Sequence, residues 1–470
     1  MKINLKFPTV GPIVGYTNGI SSRIWFRGDM DVKDNTACQR CFGAVIFRKK
    51  GTKGWLNPII NKMSPNFDMT AVFVLSGLEP ETDYEYKTGW FFADADYENL
   101  SKIPSDLFKW HKDSWVFRSG SSNPSASRSY VVGSCRYLLR LFGLDIFDDR
   151  GDKVFRSILG QINNGRRVDA LLMIGDQIYA DDLYFLSSDT RFSQFVKRYQ
   201  NVFSQPYIRE LMACTPTYMI LDDHEIENNW PANASPADRF TLYPHAIHSY
   251  QIYQSSHSPL FNVSATGRIE GTPSHFWYSF TDGCADWFVT DSRTERIVVG
   301  DRKRMLKDEQ LQALFKWLDE DSGKVKFIVT SVILFPDVSS NRDDSWGAYP
   351  EQREQILDHI RIKNIQKVIF ISGDMHCSFT AELRIDFNAD FLIHQVVSSS
   401  FFWPYPHMEK GDVIEDKLIT GAQAPYKAKL SSPIHTTDNF VRLDVSSDTV
   451  TVSFFERKGT QLGAPVLLVF

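Results

Sequence analysis

From residue 130 onward the chain carries short, wholly apolar runs, and each is long enough for one strand: Tyr130-Val131-Val132, Ala170-Leu171-Leu172-Met173-Ile174, Tyr218-Met219-Ile220-Leu221, Trp287-Phe288-Val289, Phe327-Ile328-Val329 and Val368-Ile369-Phe370-Ile371. These read as buried strands, and the stretches between them are long enough for helices. Leu306, Gln310, Leu311, Leu314 and Leu318 lie near helical spacing, and Pro350 opens a second helix through Ile356 and Ile360. Strands alternating with helices imply an α/β domain. The last stretch, Asn439 to Phe470, returns to alternation and is expected to add strands to a sheet.

Before residue 127 the pattern differs. Stretches such as Arg23-Ile24-Trp25-Phe26 and Ala44-Val45-Ile46-Phe47 are separated by turn residues with little helical period, which predicts a small β-sandwich. The segment Leu78-Glu79-Pro80-Glu81-Thr82-Asp83-Tyr84-Glu85-Tyr86 resembles the tyrosine corner of fibronectin type III modules, in which a tyrosine hydroxyl ties a turn to nearby backbone. Ser119 to Ser129, rich in Ser, Asn and Pro, is expected to link the two parts. A chain of 470 residues exceeds one ordinary core, so the expected division is a fibronectin III-like domain over 1–126 and a catalytic domain over 127–470.

A net charge of -5 supplies no basic field for a nucleic-acid backbone, so no dedicated nucleic-acid surface is expected. No apolar run is long enough to span a bilayer. Met1 to Gly15, interrupted by Pro8 and Pro12, has no continuous apolar segment of the signal-peptide kind, which leaves a cytoplasmic chain or one whose leader has been removed. Six cysteines are too few for a disulfide scaffold, and Cys38 with Cys41 reads as a loop pair, since zinc needs a second half. Oligomeric state is left open.

Four of the apolar runs end in compact groups of metal-competent residues: Cys135; Asp176 and Tyr179; Asp222, Asp223 and His224; Asp374 and His376. Ligands of α/β sheets bind beyond the carboxyl ends of strands, so residues distant in sequence would converge there on one crevice. Gly133, Gly175 and Gly373 stand beside these groups, where a chain leaving a buried strand must turn sharply and tolerate a close neighbour.

Gly133-Ser134-Cys135, Gly175-Asp176-Gln177-Ile178-Tyr179, Asp222-Asp223-His224-Glu225 and Gly373-Asp374-Met375-His376 resemble, in order and rough spacing, the motifs of the PhoD-like alkaline phosphatases and phosphodiesterases, within the calcineurin-like metallophosphoesterases. The resemblance extends to Asp291-Ser292-Arg293, to the helix near Glu309-Gln310-Leu311 and to the N-terminal module. It implies an αββα sandwich and a binuclear phosphoesterase that hydrolyses phosphate mono- or diesters through a metal-bound hydroxide. Asp176 would bridge the ions, with Cys135, Tyr179 and His376 completing a ferric site. Asp223, Asp374 and the carbonyl of Asn228 or Asn229 would hold a second ion, calcium by resemblance, with zinc, manganese or magnesium as alternatives. His224 would act as general acid with Glu225 orienting it, and Asp291 with Arg293 would support the site, touch the substrate phosphate or form a buried ion pair.

Elsewhere the residues read as structure. His245 and His248 continue into a helix packing face with Tyr250 and Tyr253, and Phe401-Phe402-Trp403-Pro404 is either a pocket wall or a packed loop. Arg136 stands where familiar members carry glutamine, and Gln177 fills a variable position, so substrate preference stays open among mono-, di- and triesters. Two rival readings are a catalytically lapsed, metal-stabilised binding protein and a redox enzyme using iron with cysteine and tyrosine.

Overall fold

The structure, a computed structural model, describes residues 2–30, 40–94, 103–138, 140–141, 144–145, 150–182, 188–264, 267–300, 303–339, 344–386, 388–408, 410–415, 418–419 and 426–470. Cys38 lies outside them, and so does the Cys38–Cys41 pair. Among the described residues no helix is long and apolar enough to cross a membrane.

The N-terminal strands form two antiparallel sheets. Strands β1 (Val10–Thr17), β2 (Ser21–Arg27) and β5 (Thr70–Ser76) make one; β4 (Ile59–Met63), β3 (Arg40–Lys49), β6 (Asp83–Ala93) and β7 (Trp115–Arg118) make the other, in that order. Their shared core is aromatic, with Phe26 stacked on Phe73 and Tyr84 and Tyr86 packed against Phe117. The tyrosine of the corner is Tyr84, whose hydroxyl accepts from the Glu79 N–H at 2.8 Å. Tyr86 reaches away and donates to the Ala213 carbonyl at 2.7 Å.

Two larger sheets come next in the chain. The first runs β10 (Thr217–Ile220), β9 (Ala170–Ile174), β8 (Arg128–Gly133), β18 (Asn439–Val445), β19 (Thr449–Glu456), β20 (Gln461–Val469). Strands β8, β9 and β10 are parallel, and the last three are added antiparallel, as the terminal alternation predicts. The second runs β11 (Tyr278–Asp282), β12 (Ala285–Val289), β13 (Val325–Val329), β14 (Val368–Ser372), β16 (Asn388–Val397), β15 (Phe379–Ile385), β17 (Tyr426–Leu430), and ends in the two-residue strand Leu418–Ile419.

Side-chain alternation builds four layers from these sheets. Tyr130, Val132, Leu172 and Ile174 of the first sheet meet Trp287, Val289, Phe327, Val329, Ile369 and Ile371 of the second in one core. Val131, Leu171 and Met173 point outward onto α1 (Arg150–Asn163), α2 (Phe192–Phe203), α3 (Pro206–Cys214) and α4 (Tyr243–Tyr253). Phe288, Ile328 and Phe370 point the other way, onto α5 (Asp308–Leu318) and α6 (Pro350–Ile362). Strands covered on both faces must be apolar at every position, which is why the runs are unbroken.

The three-stranded N-terminal sheet docks on the first helical layer: Val10, Ile13, Trp25 and Val72 share its core, and Trp25 donates its indole N–H to the Ile252 carbonyl. The Ser119–Ser129 stretch is not a free linker. Its backbone is pinned on both sides, with the Gly120 N–H on the Asn18 carbonyl (3.1 Å) and the Ser121 N–H on Asp282 (2.9 Å).

Candidate metal centre

The loops after β8, β9, β10 and β14 carry the four polar groups to one place. Five of the expected ligands leave ordinary backbone space to get there: Cys135, Asp176, Asn229, Asp374 and His376 all have φ between 48° and 63°. A left-handed non-glycine residue costs on the order of 1–2 kcal/mol, so the surrounding hydrogen bonds must impose it. The Cys135 and Arg136 N–H groups bond the Gly175 and Asp176 carbonyls, and the His376 N–H bonds Ser399 Oγ at 3.0 Å. Of the three glycines, Gly175 makes the sharp turn (φ +106°), and a Cβ there would lie 2.6 Å from the Asp222 Cβ. Gly133 and Gly373 do not have positive φ; they leave room for the Phe401 ring and the Ser134 side chain.

Asp176 sits at the centre. Its carboxylate belongs to three groups whose ligand atoms lie within 4.8 Å of one another: with Cys135 and His376; with Asp223 and His224; and with Asp222, Asp223 and Asp374. Cys135 Sγ and the Tyr179 hydroxyl approach Asp176 Oδ2 at 3.4 and 3.2 Å. Asn229 lines the adjoining cleft, and its N–H donates to Asp223 Oδ2 at 2.5 Å.

This donor set fits metal ions. Burial, reinforced by neighbouring anions, pushes the Cys135 thiol, the Tyr179 phenol and the Asp176 and Asp374 carboxyls well above their ordinary ranges. Bound cations would reverse that balance by stabilising the anionic forms. His376 is held at about 3 by burial and by the facing His224 and His407, so it is neutral, the form that ligates. Asp176 Oδ1, Asp222 Oδ2 and His376 Nε2 are buried without a hydrogen-bond partner, as atoms reserved for ions would be.

Two expectations about supporting residues are corrected. Glu225 does not orient His224. Its carboxylate accepts the N–H groups of Asp176, Gln177 and Asp222 and the side-chain amide of Gln254, so it fastens two ligand loops together. His224 is held by Asp181 instead, with Nδ1 2.9 Å from Oδ2. Burial works against the imidazolium, yet Asp181, Asp223 and Asp176 together hold His224 well above its ordinary range. Asp181 lies two residues after Tyr179 in the same loop, and that proximity was the available signal.

Arg293 does not face the substrate cleft. Its side chain is 0% exposed, and its guanidinium binds Asp222, Asp223 (3.3 Å) and both oxygens of Asp344 (2.6 and 2.9 Å). Nor is Asp291 its ionic partner, because that carboxylate accepts the Arg293 and Thr294 N–H groups. Asp344 lies far from every motif in sequence, and nothing local marks it.

A cleft of about 380 Å³ opens beside the cluster, and its lining includes Asp223, His224, His376, Trp403, His407 and Met408. Trp403 stacks on His376 with ring centroids 3.7 Å apart, which makes the aromatic stretch a pocket wall. Phe401 and Phe402 are packed into the core behind it.

Similarity to known proteins agrees with this geometry. The chain is similar to the solved structure of PhoD over 99% of its own length and 89% of that chain, with a TM-score of 0.69 and 17% identity. It is also similar to purple acid phosphatase PPD1 from yellow lupin (Lupinus luteus) seeds over 97% of its length and 74% of that chain, with a TM-score of 0.59 and 14% identity. These likenesses show the shared metallophosphoesterase-type αββα sandwich. Alkaline phosphatase D of Bacillus subtilis (strain 168) is 28% identical over 214 residues, which are 39% of this chain and 35% of that protein, so the match spans about a third of the relative's length. The family description "PhoD-like phosphatase" matches residues 151–454, and the chain belongs to that family.

Proposed function

We propose that this chain is a binuclear metal-dependent hydrolase of phosphate mono- or diesters. The observation that carries the reading is the position of Asp176, the one carboxylate common to all three groups of potential ligands. Cys135, Tyr179 and His376 would hold one ion with it, and Asp223, Asp374 and Asn229 the other. A thiolate, a phenolate and an imidazole favour iron in the first site; oxygen donors favour a harder ion such as calcium in the second. Bound ions would supply Lewis-acid activation of phosphoryl oxygens and of water.

The chain's own residues do the rest. His224 borders the cleft and, kept protonated by Asp181, donates a proton from its other nitrogen, Nε2, to the departing ester oxygen. Glu225 fixes the Asp176 turn against the Asp222 turn, so the two ligand sets keep their spacing. Arg293 holds Asp222 and Asp223 from behind as a positioning residue. Included in the proposal is a domain division at 1–126 and 127–470, supported by the separate aromatic core of the N-terminal sandwich.

Elemental analysis beside hydrolysis of aryl phosphate mono-, di- and triesters, with chelator and with metal restored, tests the reading. Two bound ions and chelator-sensitive hydrolysis, with Asp176→Asn emptying both sites, are expected. Bound metal without hydrolysis of any ester would overturn the enzyme reading, and no uptake of metal would overturn the site.

A further inference from the structure

Part of the cleft wall beside the cluster is apolar. Trp403 lies against His376 nearly parallel, at 20°, and its ring is also 5.7 Å from Tyr179, so the indole lies directly beside two of the candidate ligands. The same lining includes the exposed Pro406, the half-buried Met408 and the buried Val338 and Met375.

This wall is built to stay in place. The Trp403 N–H donates to Asp438 Oδ1 at 3.0 Å, His407 donates through Nδ1 to the His376 carbonyl at 2.6 Å, and Trp403 packs edge-on with Tyr137 and Tyr405. The wall is therefore fixed through Trp403 to the residue before β18 and through His407 to the loop that carries His376. Asp412 also lines the cleft, and its carboxylate would repel a second phosphate on the substrate.

We propose that Trp403, Pro406 and Met408 form a subsite for the non-reacting substituent of a phosphodiester, and that this substituent is an alkyl or aryl group without a further phosphate. The inference rests on the phosphoesterase reading above. Its basis is continuity: a diester whose phosphorus lies at the Asp176 cluster must send one substituent out along the cleft, and the cleft lining includes the Trp403 indole and the Met408 thioether. Apolar area removed from water there strengthens binding by about three- to fourfold for each buried methylene.

The test uses the metal-loaded full chain and a series of p-nitrophenyl diesters in which the second substituent is methyl, propyl, hexyl or glyceryl. In each, water adds to phosphorus, the bond to nitrophenol oxygen breaks, and the products are the alkyl phosphate, nitrophenol and a proton's net release according to pH. The leaving group is constant and the alkyl oxygens are nearly equal in basicity, so intrinsic reactivity is matched along the series. The expected result is a kcat/KM for hexyl at least about tenfold above methyl, with glyceryl no better than methyl; two methylenes on the wall suffice for that.

Met408→Ser should lower the hexyl-to-methyl ratio and Met408→Leu should keep it. A ratio is unmoved by a general loss of folded or metal-loaded protein. A flat profile from an active enzyme, or a ratio unchanged in Met408→Ser, overturns the subsite alone. Hydrolysis of aryl monoesters without any diester also overturns the subsite and leaves the phosphoesterase standing. No hydrolysis of any ester overturns both.

Discussion

Replacing Arg293 by methionine separates a residue that touches substrate from one that supports the ligands. The guanidinium has no exposure and is the ionic partner of Asp222, while Asp344 also binds Arg296. Arg293→Met removes the charge and nearly keeps the volume, leaving the Asp222 carboxylate buried without its cation. Removing one partner from a buried ion pair costs about 3–5 kcal/mol. With an unfolding entropy of about 2.1 cal/mol/K per residue, a chain of 470 residues unfolding as a unit would lose about 1 kcal/mol per degree. The melting temperature should therefore fall by about 3–5 °C. Asp223 would lose a neighbour at 3.3 Å, so metal occupancy and kcat should fall too. Arg293→Lys should restore little, because an ammonium cannot span three carboxylates as a planar fork does. Differential scanning calorimetry, metal analysis and steady-state kinetics read the three effects. An unchanged melting temperature and metal content with a raised KM would refute this reasoning and return Arg293 to phosphate contact.

Three other outcomes are expected. Asp181→Asn should reduce kcat by about 10²–10⁴-fold, the usual contribution of a general acid, with metal content retained; loss of metal would show that Asp181 supports ligands instead of His224. Tyr179→Phe should abolish a visible charge-transfer band of the iron-loaded protein, and absorption unchanged in that variant would remove the phenolate from the site. The third concerns His257, which is 1% exposed and lowered from 6.5 to about 4 by burial and the nearby Arg23 charge. Its folded pKa lies below the unfolded one, so the stability it contributes is complete above pH 6.5 and is lost as pH falls toward 4. Between pH 6.5 and 5 that loss is about 2 kcal/mol. His257→Gln should make melting less pH-dependent over this window by about that amount; equal pH dependence in both proteins would contradict a neutral buried imidazole.

Much of the architecture was legible because it arises from local rules. Runs such as Ala170–Ile174 are apolar throughout, and only strands covered on both faces need that. Pro350 and the leucine spacing before Leu318 mark their helices by the geometry of a single turn. The polar groups after the runs were equally visible, since a strand's end fixes where its next residues can go.

What remained hidden depends on contacts between distant segments. Glu225 beside His224 suggested a partnership that the 3₁₀ turn does not permit, because the carboxylate turns back to the N–H groups of Asp176, Gln177 and Asp222. Asp344 reaches Arg293 across 51 positions, and the Gly133 and Gly373 close approaches involve Phe401 and Ser134. The glycine-flanked carboxylates, thiol, phenol and imidazoles were written in the sequence by themselves, because residue type sets donor chemistry and strand order sets the rim where they gather. Which carboxylate holds His224, what Glu225 and Arg293 bind and which residues line the cleft were decided only by tertiary structure, because hydrogen bonding and burial are satisfied in space and no local pattern encodes a partner that the fold brings in from far along the chain.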